Sequence, residues 1–355
     1  MRRIRYAISA CFFLHLFSLS FAVAQDMKNL GIATGSQSAT YFQIAKDIEK
    51  VVSDACHVPF TVYESAGALE NLRRLRHDPA VQLATVQQHV LDFIKDKKLE
   101  DREFQDWVDK FRYIFPLYPE EVHIVTRKSA GITTLRDLHN RRVGLGTEGG
   151  GTRMVAAVLL DRADLKVEPR YVKGEEALDR LFLDRNDPNF LDAFFQVTGK
   201  PFAMLSSSNA RLNELTLVAI DDERLFAGNT SLTPFKHAKI TKADYPWLDR
   251  DVETASTMAV LMTFNFLGNN RDNLAMVARL IRDNIDTLQK TGHNKWNEMQ
   301  LDQPIPGWER YQSVADRMDT PVTDCRFGAA GRRPVPERCK NLPPESQLLC
   351  SIDAK

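Results

Sequence analysis

The chain has 355 residues, room for two domains of ordinary size, and its hydrophobic fraction of 43% is enough to fill two cores. Lysine plus arginine and aspartate plus glutamate balance at 47 each, so no net field draws the chain to nucleic acid or to an anionic membrane. A polyanion is thereby excluded as the expected partner.

The first segment, MRRIRYAISACFFLHLFSLSFAVAQD, carries Arg2, Arg3 and Arg5, then a short apolar run, then Ala22-Val23-Ala24 before Gln25. This is the pattern of a secretory signal with an A-x-A cleavage site, so residues 1–24 are expected to be removed. The mature chain is then expected in the periplasm as a soluble monomer. The apolar run is shorter than the ~20 residues that a span needs, and so is the later stretch 258–267 with Thr263 and Asn265.

After the signal, short apolar runs alternate with amphipathic segments. Residues 30–34 read as a strand, and Tyr41, Ile44, Ala45, Ile48, Val51 and Val52 form a helical stripe behind it. A strand at 60–63 is followed by a helix bearing Leu69, Leu72 and Leu75, and a strand at 81–86 by a helix at 87–95. Three strand-helix pairs in a row predict parallel pairing with right-handed crossovers. Residues 111–127 read as two extended runs broken by Pro116 and Pro119. A fresh series follows: strand 142–145, helix 152–163, strand 168–172, helix 175–183 and strand 191–195. Residues 255–266 form a long extended run, and 269–291 one helix with Leu274, Val277, Leu280, Ile281, Ile285 and Leu288 inward. Two α/β units joined by extended chain predict two lobes with a cleft between them.

The stretch GLGTEGGGTR, residues 144–153, contains a G-x-G-x-x-G between a strand and a helix. A Walker A loop is excluded, because Thr152 and Arg153 follow Gly151 where Lys and Ser/Thr are required. A dinucleotide site fits the glycines and Glu168, but an exported chain has little access to NAD. The physics shared by both motifs remains: glycines let backbone approach a ligand, and the first N–H groups of the helix point at it. The loop is therefore expected to cradle an anion or a carboxylate. Two further hydroxyl-rich turns, TGSQSATY (34–41) and ESAGALENL (64–72), also end predicted parallel strands, where open α/β sheets bind ligands.

Catalysis finds no support. Ser206, Ser207 and Ser208 form no G-x-S-x-G elbow, and His89 and His123 read as structural. Glu175 and Glu176 read as solvated acids at a helix start. Cys56, Cys325, Cys339 and Cys350 remain after cleavage; in an oxidising compartment they are disulfide candidates, with a bridge inside the tail and one to Cys56. Their spacing offers no C-x-x-C or C-x-x-H pair for a metal, and no cofactor is expected.

ATGSQSATYFQIAKDI, VYESAGALENLRRLR, LATVQQHV, LYPEEVHIVTRKSAGITTLRDLHNRRVGLGTEGGGT and LDAFFQVTGKP occur in that order. Together they resemble the TAXI family, the solute-binding subunits of one branch of the tripartite ATP-independent periplasmic (TRAP) transporters. The resemblance implies an α/β, two-lobed periplasmic-binding-protein fold of type II-like form, with extended hinge segments and the ligand cleft between the lobes. It places residues 25–118 and 251–300 in lobe 1 and 119–250 in lobe 2, and leaves 301–355 as a Cys/Pro-rich extension. It implies capture of a small organic anion, of amino-acid or dicarboxylate type, and delivery to a TRAP-type membrane permease. A secreted sensor or scaffold subunit on the same fold is the alternative. By position, the ligand residues it implies are Thr34, Ser36, Ser38, Tyr41, Ser65, Asn71, Gln87, Glu148, Gly149, Gly150, Gly151, Thr152, Arg153, Phe195 and Gln196. Where the family has GSGT, this chain has Gly150-Gly151-Thr152 preceded by Glu148. Arg153 reads either as a carboxylate clamp or as the ion-pair partner of Glu148.

Overall fold

The computed structural model describes residues 30–56, 59–95, 102–228, 234–267 and 269–317. The signal segment and Cys325, Cys339 and Cys350 lie outside them. In chain order come β1 (Leu30–Ala33), α1 (Thr40–Cys56), β2 (Phe60–Tyr63), α2 (Ala68–His77), β3 (Leu83–Gln87), α3 (Gln88–Lys95) and α4 (Arg102–Trp107). Then follow β4 (Phe111–Arg127), β5 (Arg142–Gly144), α5 (Gly151–Arg162), β6 (Glu168–Arg170), α6 (Gly174–Arg180), β7 (Ala193–Thr198), β8 (Leu215–Leu217), β9 (Lys236–Ile240) and β10 (Val252–Phe264). Helices α7 (Asn269–Asp283), α8 (Ile285–Thr291) and α9 (Gln312–Arg317) complete the order.

The sheet runs β2-β1-β3-β10-β4-β7-β5-β6. β1, β2 and β3 are parallel, as are β5, β6 and β7, and the two trios meet through the central antiparallel pair β4/β10. This is the two-lobed α/β architecture expected from the sequence. The start of β4 and the end of β10 belong with β3, whereas the end of β4 pairs β7. The two long strands therefore cross from one lobe to the other near Pro116–Glu121.

Pro116 and Pro119 do not break β4, contrary to the reading above. Met258 pairs Pro119 and Val260 pairs Pro116, so β4 carries an extra residue there, and a second extra one opposite Leu261 and Met262. Bulges are where a sheet accommodates residues that lack an N–H. The long helix expected at 269–291 is two, α7 and α8. Between them, Asn284 donates both its backbone N–H (3.1 Å) and its Nδ2 (2.9 Å) to the Leu280 carbonyl, and that turn restarts the helix.

Period-two alternation divides the first trio's side chains between two layers. Leu30, Ile32 and Leu83 face α1 and α7, where Ile44, Ile48 and Val52 meet Leu274, Val277 and Ile281. Ala33, Ala84 and Val86 face the other way, into a core shared with α2 and α3. That second core continues into Met154, Val155, Val158 and Leu159 of α5, so apolar contact joins the lobes behind the cleft. Cys56 ends α1 nearly buried, its Sγ 4.0 Å from Met276 Sδ.

Candidate functional site

Every strand-to-helix turn of both trios opens on one cavity of about 800 Å³ between the lobes. Its walls are residues 35–39 after β1, 64–68 after β2, the loop before α5, and 173–175 before α6. Gln87 at the end of β3, Glu120 of β4 and 196–198 of β7 form the floor. The position follows from topology, since carboxyl ends of parallel strands leave a crevice where the strand order reverses.

Of the residues expected at the ligand, Ser36, Ser38, Tyr41, Ser65, Gln87, Gly150, Gly151, Thr152 and Gln196 line this cavity. Thr34 and Asn71 lie directly beneath it, fully buried. Asn71 Nδ2 donates to the carbonyls of Thr34 (2.5 Å) and Thr85 (2.9 Å), and Ser65 Oγ lies 2.6 Å from Asn71 Oδ1. These bonds tie the ends of β1, β2 and β3 together, so Thr34 and Asn71 hold the walls and do not form them. Phe195 points into the core, because its neighbour Gln196 takes the cleft face of β7.

Glu148, Gly149 and Arg153 do not line the cavity. Arg153 Nη1 donates to the Glu148 carbonyl (2.7 Å), and the guanidinium lies 4.6 Å from the Tyr171 ring centroid. It therefore forms neither a clamp in the cleft nor an ion pair with the Glu148 carboxylate. Thr152 Oγ1 accepts the Val197 N–H at 3.2 Å, which pins the start of α5 to β7.

Neither α2 nor α5 is capped by a side chain: Gly67 and Gly150 stand at their N-cap positions. Their positive ends thus face the cleft and are suited to a ligand's negative charge. Gly67, at φ +125°, is held where side chains seldom go, and a Cβ there would meet the Gly150 Cα at 3.0 Å. At Gly151 a Cβ would fall 2.0 Å from Gln87 Oε1. Glycine is what lets the two lobes come this close. Further contacts cross the cleft: Ser38 Oγ donates to Glu175 Oε1 (3.1 Å), and Thr40 Oγ1 to the Gly199 carbonyl (3.2 Å).

Glu175 is thus more than a solvated acid at a helix start, whereas Glu176 does pair on the surface with Arg180 at 2.6 Å. Sequence reading also passed over Glu64, Lys173, Thr198, Phe202 and, above all, Glu120. Glu120 and Glu121 are both 2% exposed. Alternation along β4 sends them to opposite faces. Glu121 pairs with Lys295 Nζ (2.8 Å) and accepts the Lys200 N–H (2.9 Å), while Lys295 also reaches Glu298 (2.9 Å). Glu120 faces the cleft and accepts the Tyr41 hydroxyl at 2.6 Å. Burial pushes its carboxyl up to about 8, with the Glu121 charge adding and the Tyr41 and Gln87 hydrogen bonds opposing. The available signal was two adjacent acids in the middle of a strand, between the runs Tyr113–Tyr118 and Val122–Val125.

His123 proves structural: Nδ1 lies 2.9 Å from the Glu121 carbonyl and must donate, so Nε2 accepts the Tyr245 hydroxyl at 2.8 Å. Burial lowers it to about 4. Among the described residues no three His, Cys, Asp or Glu side chains gather as a metal site, and no helix is long and apolar enough to cross a membrane.

Several solved structures are similar to this chain. A protein from Bordetella bronchiseptica RB50 is 14% identical over 76% of this chain and 77% of its own, with a TM-score of 0.46. A Streptococcus mutans structure described with glutathione import via GshT is 12% identical over 78% and 98%, TM-score 0.44. An amino acid ABC transporter substrate-binding protein, AbpA from Streptococcus pneumoniae bound to L-arginine, is 13% identical over 76% and 95%, TM-score 0.43. The model of the NMT1-like family matches residues 32–307, most of the chain, and the protein belongs to that family.

Proposed function

We propose that this protein is an extracytoplasmic solute-binding protein that captures a small organic anion, of amino-acid or dicarboxylate type, and delivers it to a TRAP-type permease. The observation that carries the reading is the cleft itself. The N-termini of α2 and α5, one from each lobe and neither capped by a side chain, converge with Ser36, Ser38 and Thr152 on one cavity. Backbone N–H groups and hydroxyls there receive a carboxylate without a covalent step. The cavity's volume falls within the range of small-molecule sites.

Release by lobe opening is part of the reading. The crossing contacts are few and polar at the mouth, such as Thr147 Oγ1 to the Ala66 carbonyl (3.3 Å) and the Leu69 N–H to the Gly149 carbonyl (3.4 Å). β4 and β10 span both lobes and supply the hinge. The periplasmic location rests on the signal-like residues 1–24.

Native mass spectrometry of the purified mature protein tests the reading. A co-purified small carboxylic acid or amino acid is expected, with isothermal titration calorimetry confirming one site. A nucleotide, or a protein that binds no acid from a broad panel, would refute it.

A further inference from the structure

The charged side chains that line the cleft are Glu64, Glu120, Glu175 and Lys173. Glu64, Glu175 and Lys173 are exposed, at the rim, and Glu120 is buried in the floor. Two rim acids already have partners, Glu64 with Gln37 Nε2 (3.3 Å) and Glu175 with Ser38. The floor is different. Lys295, whose charge acts weakly on Glu120, is committed to Glu121 and Glu298. No ion pair joins Glu120 among the described residues. Beside it lies Gln87, 4% exposed, whose Oε1 is buried without a hydrogen-bond donor. A buried carboxyl and a buried amide oxygen thus face one cavity, and once the carboxyl is ionised both offer only acceptors. An orphaned buried acceptor is costly and is expected to be satisfied by what enters.

Resting on the solute-binding reading, we propose that Glu120 and Gln87 Oε1 form an ammonium subsite, where Glu120 gives up a proton to receive the protonated amine of a zwitterionic ligand. The ligand's carboxylate end then lies toward the N-termini of α2 and α5. The proton balance is simple: the neutral Glu120 carboxyl and the incoming ammonium become a carboxylate–ammonium pair, and one proton leaves through the cleft to the buffer. The amine stays protonated throughout.

The groups that face Glu120 from the elements around it do not duplicate this response. From α1, Tyr41 donates its hydroxyl, and burial holds that hydroxyl protonated far above neutral pH. Tyr118, also on β4, is raised by burial in the same way. Glu121 and Lys295 form their own pair on the opposite face. From β10, Thr257 sits opposite Glu120 and bonds His89 Nδ1 at 2.7 Å. With Glu120 raised to about 8, roughly nine-tenths of the carboxyl is protonated at pH 7 in the empty cleft. An ammonium there offsets the ionisation that burial alone disfavours, with Gln87 Oε1 accepting a hydrogen bond from a second of its protons.

Calorimetry tests this with matched 2-amino and 2-oxo acids: L-glutamate against 2-oxoglutarate, L-alanine against pyruvate, and L-leucine against 4-methyl-2-oxovalerate. Titrations run at pH 6, 7 and 8, each in two buffers of different ionisation enthalpy. For the pair that binds, the amino acid should be favoured about tenfold or more. It should release close to one proton at pH 7, and its affinity should rise about tenfold from pH 6 to 7 and about fivefold from pH 7 to 8. Glu120→Gln should abolish both proton release and pH slope. The wild-type proton count needs no variant, so a poorly folding substitution does not block the test. Equal binding of the oxo acid, binding without proton release, or an unchanged slope in Glu120→Gln would overturn the subsite and leave the solute-binding reading standing. If neither series binds, both fall.

Discussion

Glu120→Gln should make the ligand-free protein more stable at neutral pH. Glu120 has an ordinary value of 4.5 and is raised to about 8 by burial in the cleft floor. The sign follows from linkage: a carboxyl whose folded value is raised contributes stability that is fully present below about 4.5 and is lost as pH rises through 8. At pH 7 the unfolded chain is ionised at this position and the folded chain is not. That pH lies about 2.5 pH units above the ordinary value, and each unit is worth about 1.4 kcal/mol, so the folded state has lost about 3 kcal/mol. Glutamine is neutral in both states and its Oε1 still accepts the Tyr41 hydroxyl, so the variant escapes the penalty.

Urea unfolding followed by the fluorescence of the buried Trp296 and its neighbours measures this at pH 4.5, 6, 7 and 8. The variant's advantage should be close to zero at pH 4.5 and reach about 3 kcal/mol at pH 7. His123, held down at about 4 by burial, destabilises the fold as pH falls below its ordinary 6.5, but it does so in both proteins and cancels in the difference. A variant that is less stable at pH 7, or an advantage that does not change with pH, would refute the reasoning. It would mean that Glu120 is ionised in the empty cleft.

Gly151→Ala should weaken ligand capture about tenfold or more at little cost in urea midpoint, because the new methyl displaces the Gln87 carboxamide; calorimetry with the native ligand checks it. In the same assay Arg153→Ala should change affinity less than twofold, since its guanidinium is bonded outside the cleft. Lys295→Met strips Glu121 of its buried counter-charge and should cost about 3–5 kcal/mol in urea unfolding at pH 7; a loss below about 1 kcal/mol would show that the pair contributes nothing at the hinge. Peptide mapping without reductant should find Cys56 bridged to Cys325, Cys339 or Cys350, and a free thiol at Cys56 would contradict it.

The elements with a clear period were legible in the sequence. α1 shows its stripe because only one face meets the sheet, and the parallel trios follow from alternating strand and helix. β4 was harder, since both of its faces are buried over most of its length and its residues show no alternation to read. Its prolines argued for a break that two bulges avoid. The site divided in the same manner. Loops that end parallel strands can be placed from topology, so Ser36, Ser65 and Gly151 were found. Whether Thr152 or Arg153 faces the ligand depends on the rotation of the first turn of α5, about 100° per residue, which only packing against β7 fixes.

An anion cradle gains nothing from an acid at its centre, and the glycine loop carries one in Glu148. Glu148 is exposed and lends only its carbonyl, to Arg153, so its charge lies outside the cradle. The acid buried in the cavity's floor is Glu120, on β4. A cleft with helix N-termini on its walls and a carboxyl in its floor is polarised, and a polarised cleft orients a molecule that carries both signs. On the proposed subsite a dicarboxylate gains the walls but meets no cation at the floor, whereas an amino acid meets complementary groups at both ends. Because the floor lies where β4 and β10 cross, a ligand seated there also touches the segment proposed as the hinge. On the proposed subsite, recognition of the amine and the state of the hinge are then set at the same residue.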